Sequence, residues 1–268
     1  MSDCFICITC GVQFPATAVP PNECPICVDE RQYVRHAGQA WTTIEEMGST
    51  HQNIVDELES RLYGIRTEPS FAIGQQACLI QSEHGNVLWD CISFIDDETV
   101  ARVGQLGGID KIGISHPHFY ASAVEWAARF DAAVYLHEAD REWVMRPSSR
   151  IRFWDGAQLE IQPGITLVHA GGHFAGSSVC HWADGAEQKG ALLTGDTIHV
   201  VRDRRWVTFM RSYPNVIPLS ATAVEKIVQA VGPYEFDRLY GAWHGLVVDG
   251  DAKEAVRRSA KRYIEAVS

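Results

Sequence analysis

The chain has 268 residues, 46% of them hydrophobic and 21% charged, enough to bury a substantial core and ordinary for a globular protein. Its formal charge of −11 excludes a broad electrostatic grip on nucleic acid or anionic lipid, which needs clustered Lys and Arg. No run approaches the roughly 18 apolar residues of a membrane span, and the N-terminus has neither a basic start nor a long apolar core, so the expectation is a cytoplasmic protein with a small-molecule substrate and no nucleic-acid or membrane partner.

Five of the eight cysteines, Cys4, Cys7, Cys10, Cys24 and Cys27, fall in the first 27 residues, while Cys78, Cys91 and Cys180 stand singly among apolar neighbours. Cys7-Ile8-Thr9-Cys10-Gly11 and Cys24-Pro25-Ile26-Cys27 each predict a tight turn that presents two thiolates to one tetrahedral ion. Gly11 eases the first turn and Pro25 stiffens the second. The pair resembles zinc-ribbon and rubredoxin-like knuckles, with Cys7, Cys10, Cys24 and Cys27 as ligands and Cys4 to spare. Zinc would make the knuckle structural and iron would make it an electron carrier; four sulfurs suit either. Residues 1–36 are too short to bury enough apolar surface alone, so the metal is expected to supply their folding free energy.

Residues 37–69 read as a helical linker, because Thr43 and Glu46 stand at capping-box spacing and Ile54, Leu58 and Leu62 recur every four residues. From residue 70 the pattern is that of an α/β domain. Two strands, within 72–80 and 86–92, flank a turn at Glu83-His84-Gly85-Asn86, and Asp90 comes at the end of the second. A helix over 97–106 leads to a strand at 111–115, a helix over 121–130 and a strand at 132–136. A short helix at 141–145 precedes an irregular pair of strands near 151–153 and 159–161; further strands follow at 165–168, 178–182 and 191–194. A helix capped by Ser220, a strand from Leu239 and an amphipathic helix over 251–267 complete the chain.

Chemistry-bearing side chains gather where the apolar runs end. Ser115-His116-Pro117-His118-Phe119-Tyr120 follows Ile112-Gly113-Ile114, and a His-x-His at a strand end aims both imidazoles to one side. Gly171-Gly172-His173, Gly195-Asp196-Thr197 and Gly241-Ala242-Trp243-His244 follow other such runs. An acid placed like Asp196 needs a partner, and a metal ion is a good one. A carboxylate placed like Asp90 can orient a metal-bound imidazole by accepting its free N–H, or can simply cap its strand.

In this order the motifs resemble the metallo-β-lactamase superfamily over roughly residues 70–265. The resemblance implies an α/β fold, a four-layer αββα sandwich over 70–268, with the site at one edge between the sheets. It assigns His116, His118 and His173 to a first metal, Asp196 to a bridge between two metal positions, His244 to the second, and Asp90 to a place behind the ligands. The family's usual His-x-His-x-Asp-His stands here as His116-Pro117-His118-Phe119-Tyr120-Ala121. The Asp and His that chiefly hold a second metal are thus Tyr and Ala, and one ion, zinc or iron, is expected.

The implied activity is hydrolysis of a small ester, thioester, lactam or phosphoester. In that scheme Asp196 completes the ion's shell or acts as base, His244 contacts water or substrate, and Tyr120 donates a proton to the leaving group. Two alternatives stand beside it: oxidation of a thiol-derived substrate by a mononuclear iron, with the knuckle carrying an electron, and ligand binding without catalysis. The stretch 202–213, with Arg205, Trp206, Phe209 and Arg211, would suit an anionic or aromatic substrate if it overhangs the site.

Overall fold

The computed structural model describes residues 2–268. Its larger sheet has seven strands in the order Ile151–Trp154, Ala133–His137, Lys111–Gly113, Val87–Trp89, Ala77–Ile80, Leu62–Glu68 and Gln52–Glu59. The first four are mutually parallel and the rest antiparallel. The second sheet runs Gln158–Gln162, Ile165–His169, Ser178–Trp182, Ala191–Leu193, Arg238–Tyr240 and Val247–Val248.

Strands such as Val87–Trp89 and Ala191–Leu193 are buried throughout, which is why they read as unbroken apolar runs. Leu62, Ile80 and Trp89 of one sheet meet Leu167, Cys180 and Leu193 of the other in a single buried cluster. Helices Asp97–Gln105 and Ala123–Phe130 cover the outer face of the first sheet, placing Val103 and Trp126 against Ile112 and Val134. Helices Ala221–Val231 and Ala252–Val267 cover the second, placing Val224 and Val256 against Leu192 and Leu239. The four layers are αββα, as expected.

Three expectations change. Residues 37–69 are not a helical linker: only Ile44–Met47 is helical, with the Thr43–Glu46 capping box formed, and Gln52–Glu59 and Leu62–Glu68 make an antiparallel hairpin at the sheet's edge. The four-residue spacing of Ile54, Leu58 and Leu62 straddles the turn at Arg61, whose φ is +69°; pairing of Val55 with Ile65 and Glu57 with Tyr63 overrides it. Asp56, Glu57 and Glu59 put acidic side chains along the edge strand, a guard against pairing with other chains. The strands 151–154 and 158–162 do not pair; the chain crosses there from one sheet to the other. The short helix lies earlier, a 3-10 segment at Glu138–Trp143.

The cysteine segment forms a three-stranded sheet, Gln13–Thr17, Asp3–Cys7 and Trp41–Thr42, plus one helical turn, Pro25–Val28. It is packed into the body of the molecule: Cys7, Cys10, Cys24 and Cys27 share a buried cluster with Ile114, Phe119 and Ala121. Gln13 N donates to Ala121 O at 3.0 Å and Ser93 Oγ to Gly11 O at 2.8 Å. Among the described residues, no helix is long and apolar enough to cross a membrane.

Candidate metal centre

The ends of both sheets deliver His116, His118, His173 and Asp196 to one point, all at most 3% exposed, with one donor atom of each within 4.8 Å of the others. The two histidines are not on a strand. The strand ends at Gly113, His116 is the extended residue before the 3-10 turn Pro117–Phe119, and His118 lies inside that turn. His173 comes from the loop after Ile165–His169, and Asp196 from the loop after Ala191–Leu193. Gly195 there has φ +55° and so close a neighbour that a Cβ would meet Ser115 Oγ at 2.5 Å.

His118 Nδ1 is 3.1 Å from His173 Nε2, and Asp196 Oδ1 is 3.1 Å from His116 Nε2 and 3.7 Å from His173 Nε2. Donors about 2.0–2.1 Å from a tetrahedral ion stand about 3.3–3.4 Å apart, so the set fits one. His116 Nε2 and Asp196 Oδ1, both buried, have no hydrogen-bond partner among the described residues, a state that a cation between them would relieve. Burial holds His116 and His118 well below the usual imidazole range and His173 down to about 4, so the rings are neutral with lone pairs free. Burial also pushes the Asp196 carboxyl up to about 8, and a bound cation is what would restore its charge.

Neighbours fix the rings. His173 Nδ1 donates to Met210 O at 3.0 Å, which leaves Nε2 to face the other donors. His116 Nδ1 lies 2.8 Å from Ser115 Oγ. Asp90 does not touch an imidazole: Oδ1 accepts Ser115 N–H at 2.7 Å, and the Ser115 hydroxyl stands between carboxyl and ring. The contact between the Asp90 carboxyl and the His116 ring thus runs through Ser115.

The cysteine cluster meets the same kind of test. Cys7 and Cys27 Sγ are 3.6 Å apart, as are Cys10 and Cys24 Sγ; sulfurs about 2.3 Å from a tetrahedral ion stand about 3.8 Å apart. Burial pushes the Cys10 thiol well above its usual value, so a thiolate there needs a cation beside it. Cys4, on its strand and partly exposed, is outside the cluster.

Residues 73–243 match the sequence profile of the metallo-beta-lactamase superfamily. The chain belongs to that superfamily. It is 53% identical over 266 residues to the uncharacterized protein YmaE of Bacillus subtilis (strain 168), covering 98% of this chain and 97% of that one. Among solved structures it resembles the metallo-beta-lactamase FIM-1 from Pseudomonas aeruginosa in a mono-zinc form, with a TM-score of 0.58, 13% identity and 80% and 96% of the two chains covered. A metallo-beta-lactamase from Hirschia baltica gives 0.55, 16%, 79% and 97%. At such identities these two establish the fold alone.

Two residues assigned from the superfamily resemblance are elsewhere. His244 is exposed and lines a separate groove with Arg204, Arg238 and Asp249; it is Trp243, one residue earlier, that faces the metal-site cavity, its Nε1 donating to Ile73 O at 3.1 Å. The loop after Arg238–Tyr240 brings the right segment to the site but turns the tryptophan inward. Tyr120 is 7% exposed and lines another, small cavity with Gln13, Ile114 and Arg146, apart from the cavity that His118, His173 and Asp196 line; burial raises its hydroxyl well above the usual value.

The donors border a cavity of about 240 Å³, lined by His118, His173, Asp196, Tyr213, Trp243 and Arg31. Tyr213 Oη donates to Asp196 O at 2.8 Å. Of the stretch 202–213, Tyr213 reaches this cavity, whereas Phe209 is in the core under the last helix and Trp206 stacks with Arg262. The sequence reading missed Arg31, Ser115, Met210 and Trp243: a position next to a motif marked two of them, but no pattern distinguishes Arg31 or a backbone carbonyl.

Proposed function

We propose that the protein is a metal-dependent hydrolase of a small ester, thioester, lactam or phosphoester, working with a single ion, zinc by preference, at His116, His118, His173 and Asp196. The observation that carries this is the pair of buried donor atoms without a hydrogen-bond partner among the described residues, His116 Nε2 and Asp196 Oδ1, the second belonging to a residue on the wall of a cavity. An ion bound there supplies a Lewis acid that polarises a carbonyl or phosphoryl oxygen and makes water acidic near neutral pH.

The residues supply the rest. Met210 O holds His173 in the tautomer that leaves the Nε2 lone pair free, and Ser115 Oγ lies against His116 Nδ1 and holds that ring in place, so little reorganisation accompanies binding. Asp196 is the one acidic side chain among those lining the cavity, and it is the acceptor available to a proton leaving an attacking water. Tyr213 fixes the Asp196 backbone, and Trp243 forms an apolar wall beside it. A single ion is the reading because Tyr120 and Ala121 offer no ligands and His244 faces elsewhere.

Hydrolysis of a panel of small esters, thioesters and phosphoesters by the metal-loaded protein, abolished in His116→Ala and by chelation, is the expected result. Full metal occupancy without turnover of any of them would count decisively against it.

One observation favours a second reading, oxidation of a thiol-derived substrate at iron. Thr9, between Cys7 and Cys10, lines the same cavity as His118 and His173, so the cysteine knuckle reaches the wall of the histidine site. A coloured, iron-containing preparation would select that reading, and a colourless, zinc-only preparation from iron-supplied cells would remove it.

A further inference from the structure

The cysteine segment is part of the wall of the histidine site. Arg31, Gln32 and Tyr33, which begin four residues after Cys27, line the cavity together with His118, His173 and Asp196. Their position is fixed from the opposite side. Ser212 Oγ donates to Arg31 O at 3.1 Å, Asn215 Nδ2 donates to Glu30 O and Gln32 O at 2.8 Å each, and Arg211 pairs with Glu30 at 2.6 Å. The neighbouring Met210 O is the acceptor for His173, so one short segment positions both Arg31 and a metal-site imidazole.

Arg31 is an unusual residue to find in such a wall. It is 8% exposed, and its guanidinium lies 3.8 Å from the centre of the Phe174 ring and 5.0 Å from that of Trp143. Asp29 fixes its plane: Nε donates to Oδ1 at 2.5 Å and Nη2 to Oδ2 at 2.9 Å. That engages two of the five N–H groups of a guanidinium and leaves three without an acceptor among the described residues. An arginine needed only to close its own turn could remain in water with Asp29, where such a pair contributes little. Here it is desolvated on an aromatic face beside the donor cluster, oriented before any ligand arrives.

We propose that Arg31 is the specificity-determining residue of this site, binding a carboxylate or phosphate group that the substrate carries apart from its scissile bond. This rests on the reading of the cavity as a substrate site. Among the described residues that line the cavity, Arg31 has the one permanent positive charge. Tyr33, Tyr213 and Trp243 offer apolar surface for the remainder of the molecule, and a volume of about 240 Å³ limits it to a small compound. The substrate class is thus a small, singly or doubly anionic compound with an apolar body, held by a planar fork at one end and presenting its reactive bond to the ion at the other.

The test is a binding titration of the full-length, metal-loaded protein, followed by tryptophan fluorescence, with phenylacetate, benzylphosphonate and the neutral phenylacetamide. The expected result is a preference for one or both anions over the amide on the order of tenfold or more, the size of a charge-assisted hydrogen-bonded contact. Arg31→Met should reduce that preference to about twofold or less, and Arg31→Lys should retain part of it; the two anions distinguish carboxylate from phosphate recognition. Arg31→Gln, which also removes the charge, serves if Arg31→Met does not fold. An anion preference unchanged in a folded Arg31→Met or Arg31→Gln would show that the ion alone reads the charge and would overturn the proposal, as would equal binding of all three probes by the wild type. Because binding is read without turnover, an Arg31-dependent preference in a protein that hydrolyses nothing would sink the hydrolase reading and leave this one standing.

Discussion

The Asp90 carboxylate accepts the backbone N–H of Ser115 at 2.7 Å, while the hydroxyl of the same serine lies 2.8 Å from His116 Nδ1. One serine thus couples a carboxyl, pushed up to about 7 by burial, to the orientation of an imidazole whose other nitrogen faces the donor cluster.

Ser115→Ala should therefore weaken metal binding at the histidine site about 10- to 100-fold while leaving the fold intact, and Asp90→Asn should do so less, since Ser115 remains. Chelator competition on the purified variants measures both. Unchanged affinity in Ser115→Ala would show that the imidazole needs no such support.

His116→Ala should lower the metal content of the protein from two ions per chain to one, with the remaining ion at the cysteines. His244→Ala should leave it at two, because His244 is exposed in a different groove. Elemental analysis after extensive dialysis separates these outcomes.

Gly195→Ala should destabilise the protein by about 1–3 kcal/mol, since it forces a Cβ into positive φ and to 2.5 Å from Ser115 Oγ. Urea unfolding of both proteins measures the loss, and metal affinity should fall with it because the displaced serine orients His116.

Replacing one buried knuckle ligand, as in Cys24→Ser, should lower the thermal midpoint and expose apolar surface, because the four cysteines lie in the same core as Ile114 and Phe119. A dye sensitive to exposed apolar surface reports it. If instead the rest of the chain melts unchanged, the knuckle is an independent unit.

Asp140 supplies a pH dependence away from the metal ligands. It accepts Gly176 N–H at 2.7 Å, and burial pushes its carboxyl up to about 6 from an ordinary 3.8. The folded state therefore holds a proton that the unfolded chain releases, so this group's contribution to stability falls as pH rises from about 4 to about 6 and is level above. Asp140→Asn keeps an acceptor for Gly176 and should gain on the wild type by up to roughly 3 kcal/mol between pH 4 and pH 7. Unfolding curves at those two values test the sign.

What the sequence determined by itself was local chemistry. Two Cys-x-x-Cys turns, a His-x-His and an acid at the end of a buried apolar run are readable because each needs particular residue types at fixed short spacing, and apolar runs buried on both faces mark strands. The tertiary structure decided everything that depends on how distant segments face each other. The spacing of Ile54, Leu58 and Leu62 suggests a helix, yet cross-strand pairing with the next segment makes a hairpin. Motif position placed His244 in the site, but the turn after Arg238–Tyr240 points it to solvent and Trp243 inward. Arg31 has no motif at all. Only the packing of the cysteine segment onto the sandwich, with Ser212 and Asn215 holding its backbone, carries that charge to the edge of the metal site.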